Sequence, residues 1–272
     1  MILQAKNGRI RMDNTYMDYV AFGSGKKKLI MIPGVGDGLK TVRGMALPFA
    51  LLYREYAKDY RVYIFSRKER LQRGCTTRMM AKDLARAMRA LKIRKADVIG
   101  ISQGGMIAQF LAIDYPDLVN RLVLVSTIAK AGPRIKHRVP RWIKMVENND
   151  FEGLMLDIAQ KMYSQDYMKR KRRVCMLAGR MLSGADKERF CTIARACSTH
   201  NALPWLNRIG AKALVIGAGR DRVVGLMGTK ELAGKLPDCE FTLYENGEHG
   251  VYDEEKNFHR RVLEFLRRTE EQ

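Results

Sequence analysis

Short apolar runs alternate with amphipathic helical stripes along this chain, and that alternation restricts the fold more than any other feature. Lys28–Ile32, Tyr60–Phe65, Ala96–Ile101 and Arg121–Val125 have the length and branching of buried strands. Between them, Met80, Leu84, Ala87, Met88 and Leu91 recur at helical spacing after a capping Thr76 or Thr77. A second helix is predicted from about Gln103 to Asp114, stopped near Pro116. Ahead of these, Arg9–Phe22 alternates polar and apolar residues as one or two strands, closed by Gly23-Ser24-Gly25. Strands apolar on both faces, each followed by a covering helix, define the α/β class with a mostly parallel sheet.

The rhythm then breaks. From about Ala131 to Leu206 there is no strand-like run, only helical patterns around Trp142–Val146, Gly153–Tyr163, Tyr167–Leu182 and Asp186–Cys197. Alternation resumes with a strand at Ala213–Ile216, a helix at Leu226–Leu236, a strand at Glu240–Tyr244 and a last helix over Asp253–Arg267. The expected organisation is a core of residues 1–130 and 206–272, split by a helical cap over 131–205.

The 272 residues carry 50 Lys+Arg against 29 Asp+Glu, a formal charge of +21. The cap segment holds 15 basic and 7 acidic residues, so the excess lies in both parts, with its densest run at Lys169-Arg170-Lys171-Arg172-Arg173. A solvated helix face accounts for that run, since no aromatic interleaving or nucleic-acid module accompanies it. No specific nucleic-acid partner is therefore expected. No segment offers the roughly 20 consecutive apolar residues of a membrane span, and the start of the chain has no signal-peptide pattern. Five cysteines, odd in number and without a C-x-x-C pair, and four unclustered histidines point to reduced thiols, a cytoplasmic location, no metal and no cofactor.

Gly100-Ile101-Ser102-Gln103-Gly104 fits G-x-S-x-G, directly after one predicted strand and directly before a helix. A sharp strand-to-helix turn needs small flanking residues and leaves the serine oxygen exposed at the positive end of the helix. Ser102 is the expected nucleophile. A serine nucleophile needs a base, and the base an orienting carboxylate. His137 and His200 fall in the cap segment and His259 within the last helical pattern, whereas His249 stands in a loop after the last strand. Asp37 and Asp221 both follow strands, and Asp221 gives the order Ser, Asp, His. The Gly-rich Pro33–Gly38 turn supplies a second oxyanion donor, the N–H of Val35, to pair with that of Gln103. Its spacing does not match the dinucleotide fingerprint G-x-G-x-x-G.

On these residues the chain resembles the α/β-hydrolase superfamily, in the serine hydrolase branch with a helical cap after the sixth strand. The resemblance runs through the N-terminal strands, the Pro33–Gly38 turn, the elbow at Ser102, the Asp221 turn and the His249 loop. It implies an α/β-hydrolase fold, with a mostly parallel eight-stranded sheet flanked by helices, an inserted helical cap and Ser102, Asp221 and His249 as a triad. Two departures stand out: Pro33-Gly34 where many members carry His-Gly, and Ser66-Arg67-Lys68-Glu69-Arg70 after the next strand.

The expected chemistry is acyl transfer to water through an acyl-enzyme, a carboxylesterase activity on a small-molecule acyl substrate. Carbon–carbon bond hydrolase, lactonase, thioesterase and acyltransferase use the same triad. A ligand- or polyanion-binding protein on this fold is the non-enzyme alternative. Gly34, Trp142, Met145 and Met155 are expected to touch substrate, and the cap methionines to favour a medium acyl chain or an aromatic ester. Arg67, Arg70 or Arg220 near the rim would favour an anionic substrate. A homo-oligomer is compatible with the sequence.

Overall fold

The computed structural model describes residues 4–182 and 184–268. Eight strands form one sheet: β1 (Lys6–Met12), β2 (Thr15–Phe22), β3 (Lys27–Ile32), β4 (Tyr60–Lys68), β5 (Ala96–Ile101), β6 (Val119–Val125), β7 (Lys212–Ala218) and β8 (Cys239–Tyr244). Their order across the sheet is β1-β2-β4-β3-β5-β6-β7-β8. The β1–β2 and β2–β4 pairs are antiparallel, and all others are parallel. This is the mostly parallel sheet expected, and the helices complete it: α1 (Ala46–Leu52), α2 (Thr77–Ala90), α3 (Gln103–Asp114), α4 (Pro133–Glu147), α5 (Phe151–Met162), α6 (Gln165–Arg180), α7 (Lys187–Ser198), α8 (Leu226–Lys235), α9 (Val251–Glu254) and α10 (Phe258–Arg267).

Strand alternation divides the core into two faces. Ile30, Val98, Leu122, Leu124 and Val215 pack under α2, α3 and α8. Leu29, Met31, Val62, Ile99, Val123 and Ile216 pack on the opposite face, against α1 and α10. Each such side chain contributes roughly 1.5–3 kcal/mol by leaving water. Helix α3 lies next to the central strand and is buried from Gln103 to Ile113, so it can be apolar on nearly every side. Thr76 caps α2, its hydroxyl accepting from the Met79 amide at 3.2 Å.

Helices α4 to α7 all lie between β6 and β7. They are inserted at one end of the sheet and carry a cluster of their own. Val139, Trp142 and Val146 of α4 meet Leu154 and Phe190, and this cluster sits on Leu39, Met106 and Ile128 of the core.

Two elements differ from the sequence reading. Helix α1 was not foreseen, because Ala-Leu-Pro-Phe-Ala-Leu-Leu has no polar face to reveal a helical period. The expected last helix is two, α9 and α10. Glu255 adopts an extended backbone that ends α9, and the chain turns so that Phe258, Val262 and Phe265 can enter the core.

Candidate active site

Every residue expected to act lies at or just beyond the carboxyl end of a parallel strand, the edge where open α/β sheets place their sites. β5 leads into Ser102, β3 into the 3-10 turn Val35–Gly38, β7 into Asp221 and β8 into His249. Ser102 has φ +54° and ψ −118°, a conformation that L-residues avoid. Two constraints hold it there. Its amide donates to the Val125 carbonyl at 2.9 Å, and its carbonyl accepts from the Gly105 amide and the Thr127 hydroxyl. The glycines of the motif make the turn sterically possible. A Cβ on Gly100 would stand 2.6 Å from the Gly104 oxygen, and one on Gly104 would collide with the Ile32 carbonyl.

His249 Nδ1 lies 2.8 Å from Asp221 Oδ2, which accepts its N–H. The other oxygen of Asp221 accepts from the amides of Val223 at 2.7 Å and Val224 at 2.9 Å. Burial pushes the Asp221 carboxyl up, but His249 and these amides outweigh it and hold the group below its ordinary range. It is thus an anion at neutral pH, with one oxygen fixed by backbone and the other aimed at the imidazole. The His249 carbonyl accepts from Ser126 Oγ at 2.8 Å, which pins the loop from below. Ser102 and His249 both face one cavity, while Asp221 lies behind His249 with only 2% of its surface exposed.

The other histidines are committed elsewhere. His200 Nδ1 pairs with the Thr77 hydroxyl at 2.9 Å, and burial lowers its pKa to about 3. His259 pairs with Tyr56, and His137 is exposed on α4.

Gly34 lies over the serine: a Cβ on it would sit 3.5 Å from that of Ser102. The amides of Val35 and Gln103 begin the 3-10 turn and α3, respectively, and neither donates to another backbone group among the described residues. Beneath them lies a buried ionic network that sequence reasoning missed. Arg67, from the end of β4, donates to the Pro33 carbonyl at 2.6 Å and to Gln103 Oε1 at 2.8 Å. The Gln103 side chain in turn donates through Nε2 to the Ile193 carbonyl at 2.5 Å. Asp37 accepts from the Arg67 amide at 2.9 Å and from Arg189 of α7 at 2.7 Å. Arg189 also donates to the carbonyls of Asp37, Arg67 and Lys68. Burial, helped by the like charge of Arg189 and opposed by Asp37, lowers the Arg67 guanidinium below its ordinary value. The signal available in the sequence was Arg67 itself, in the segment that departs from the family pattern.

The cavity measures about 620 Å³ and is walled mainly by apolar side chains. Gly34, Trp142 and Met155 line it, with Met162, Tyr163 and Val223. Met145 does not. The cavity stripe of α4 is Ile135–Val139–Trp142, and Met145 lies a turn farther on, packed into the cap cluster. The expected charges also require correction. Arg67 is buried under the Pro33 turn, Arg220 bonds Asn246, and Arg70 is not on the wall. The basic side chains that reach the cavity are Lys40 and Lys171.

The family model described as alpha/beta hydrolase fold matches residues 27–256. A protein of Caulobacter vibrioides provisionally named carbamate hydrolase RutD is 26% identical over 190 residues, 69% of this chain and 71% of that one. Among solved structures, the α/β hydrolase MGS-M2 from a Medee basin deep-sea metagenome superimposes with a TM-score of 0.84 at 19% identity, over 96% of this chain and 98% of that one. The enol-lactonase of Burkholderia xenovorans LB400 follows with a TM-score of 0.79 at 20% identity, over 95% and 99%. Sheet order, inserted helices and the family match over residues 27–256 agree: the chain belongs to the α/β hydrolase fold family.

Proposed function

We propose that the protein is a serine hydrolase that cleaves a carboxylic ester or related acyl substrate through an acyl-enzyme on Ser102. Hydrolytic activity in general is supported by its kinship with the α/β hydrolases. The finer reading rests on one observation above all. Ser102, held at φ +54° on a strand-to-helix turn, faces the same cavity as a histidine whose Nδ1 is 2.8 Å from a buried carboxylate.

The steps follow from that arrangement. Ionised Asp221 fixes the His249 tautomer with the proton on Nδ1, leaving Nε2 free to accept. His249 takes the Ser102 proton as the oxygen attacks the acyl carbonyl, and Asp221 stabilises the imidazolium that results. The amides of Val35 and Gln103 receive the oxyanion, with the N-terminus of α3 adding its positive end. His249 returns its proton to the leaving group, then activates water to release the acid. The mostly apolar wall with Trp142, Met155 and Met162 suits a medium acyl chain or an aromatic ester, and Lys40 and Lys171 would attract a carboxylate on it.

A panel of p-nitrophenyl esters, lactones and acyl thioesters of graded chain length tests this reading. Turnover of at least one acyl class is expected, with S102A at the background rate. Full activity in S102A would contradict the reading. Comparing neutral and carboxylated esters of equal size at low salt tests the two lysines: the anionic ester should have the higher kcat/KM, and equal values would remove that part.

A further inference from the structure

Nine large apolar side chains are exposed among the described residues, and six of them lie on α1 or on α6 and its C-cap. Leu47, Leu51 and Leu52 of α1, and Val174, Leu177 and Met181 of α6, are each 55–75% exposed. Both elements border the cavity: Phe49 of α1 and Lys171, Val174 and Cys175 of α6 contribute to its wall. Val174 does both, so the apolar stripe of α6 begins at the mouth. Single exposed leucines are ordinary, but two exposed apolar stripes on helices that both border one cavity are not.

Charge frames these stripes. Helix α1 has no polar residue, and Lys40, Arg43 and Arg54, all exposed, flank it. On α6 the exposed run Arg170–Arg173 surrounds the start of the apolar stripe, and Lys169 alone of the basic run forms an ion pair among the described residues, with Asp166. Apolar stripes bordered by basic residues have the composition of helices that lie in a bilayer surface, with leucines in the acyl boundary and cations at anionic headgroups. A second copy fits worse, because a twofold contact would bring two uncompensated basic runs together. A nucleic acid would leave the leucines in water.

We propose that α1 and α6 dock the protein peripherally on an anionic lipid bilayer, with the cavity mouth turned toward the membrane. This goes beyond the hydrolase reading and is tested without it. Co-flotation is measured with vesicles of phosphatidylcholine alone and of equal parts phosphatidylcholine and phosphatidylglycerol, at low and high salt. The protein, and equally S102A, should float with the anionic vesicles and less so at high salt. L51S/L52S and L177S/M181S should each lose roughly tenfold or more in partition, and R170Q/R173Q should lose preference for the anionic vesicles. Unchanged heat denaturation shows that these exposed sites do not alter the fold. A wild type that stays in solution with anionic vesicles, or serine variants that partition like wild type, would overturn the proposal. So would a concentration-dependent dimer abolished by the same serine variants, which would assign the patch to a second copy.

Discussion

Ser102 carries the cost of its position in its own backbone. With φ at +54° it holds a conformation that glycine adopts freely and other residues do not. S102G should therefore be more stable than S102A by about 1 kcal/mol, after the entropy that glycine returns to the unfolded chain. Chemical denaturation of the two inactive proteins measures this, and equal midpoints would deny the strain. In the proposed triad Asp221 acts one hydrogen bond away from the chemistry. D221N should fold, since the site stays filled, but should lose roughly ten-thousandfold in kcat through the wrong tautomer of His249. His200 gives a readout of acid stability separate from the site. Burial lowers its folded pKa to about 3 from 6.5, so its contribution is whole above pH 6.5 and is lost as pH falls toward 3. Wild type should lose about 2 kcal/mol from this group by about pH 5, and H200Q should show a shallower decline in unfolding free energy over that range.

At the scale of elements, the central strands were legible because they are short, nearly continuous apolar runs, two of them followed at once by Pro33-Gly34 or Gly219. The elbow was legible for a steric reason: Gly100 and Gly104 are where a Cβ would strike backbone, so the motif records the geometry. Helix α1 and the break at Glu255 were not, since one lacks a polar face and the other follows from where Phe258 must go. The least legible element was the tie between α7 and the Pro33 turn. Asp37 and Arg189 are 152 positions apart, and no local pattern links them. That tie carries a prediction. Arg189 donates to four acceptors on Asp37, Arg67 and Lys68 from a side chain only 5% exposed. R189L leaves a buried carboxylate without that partner and should cost about 3 kcal/mol. R189K should recover little, because an ammonium cannot span acceptors arranged for a planar fork. Urea denaturation checks both, and a loss within about 0.5 kcal/mol would mean the network relaxes.

The whole molecule combines a sheet that presents residues at one edge with inserted helices that close over them. The sheet made the class of site readable, since four strand ends converge there. The cavity wall was less readable, because helical phase in the cap fixes a stripe without fixing where the cavity ends; Trp142 and Met155 reach it and Met145 does not. The charge of +21 divides along the same line. Two of its basic side chains line the cavity and enter the substrate proposal, and the exposed run on α6 enters the membrane proposal. None of it touches the central claim, that Ser102 is an activated nucleophile paired with His249 and Asp221. Intact-protein mass spectrometry after brief exposure to a fluorophosphonate tests that claim most directly. The account predicts one adduct per chain, mapped to the peptide containing Ser102, absent from S102A and strongly slowed in H249A. An unlabelled wild type, or S102A labelled at the same rate, would contradict it.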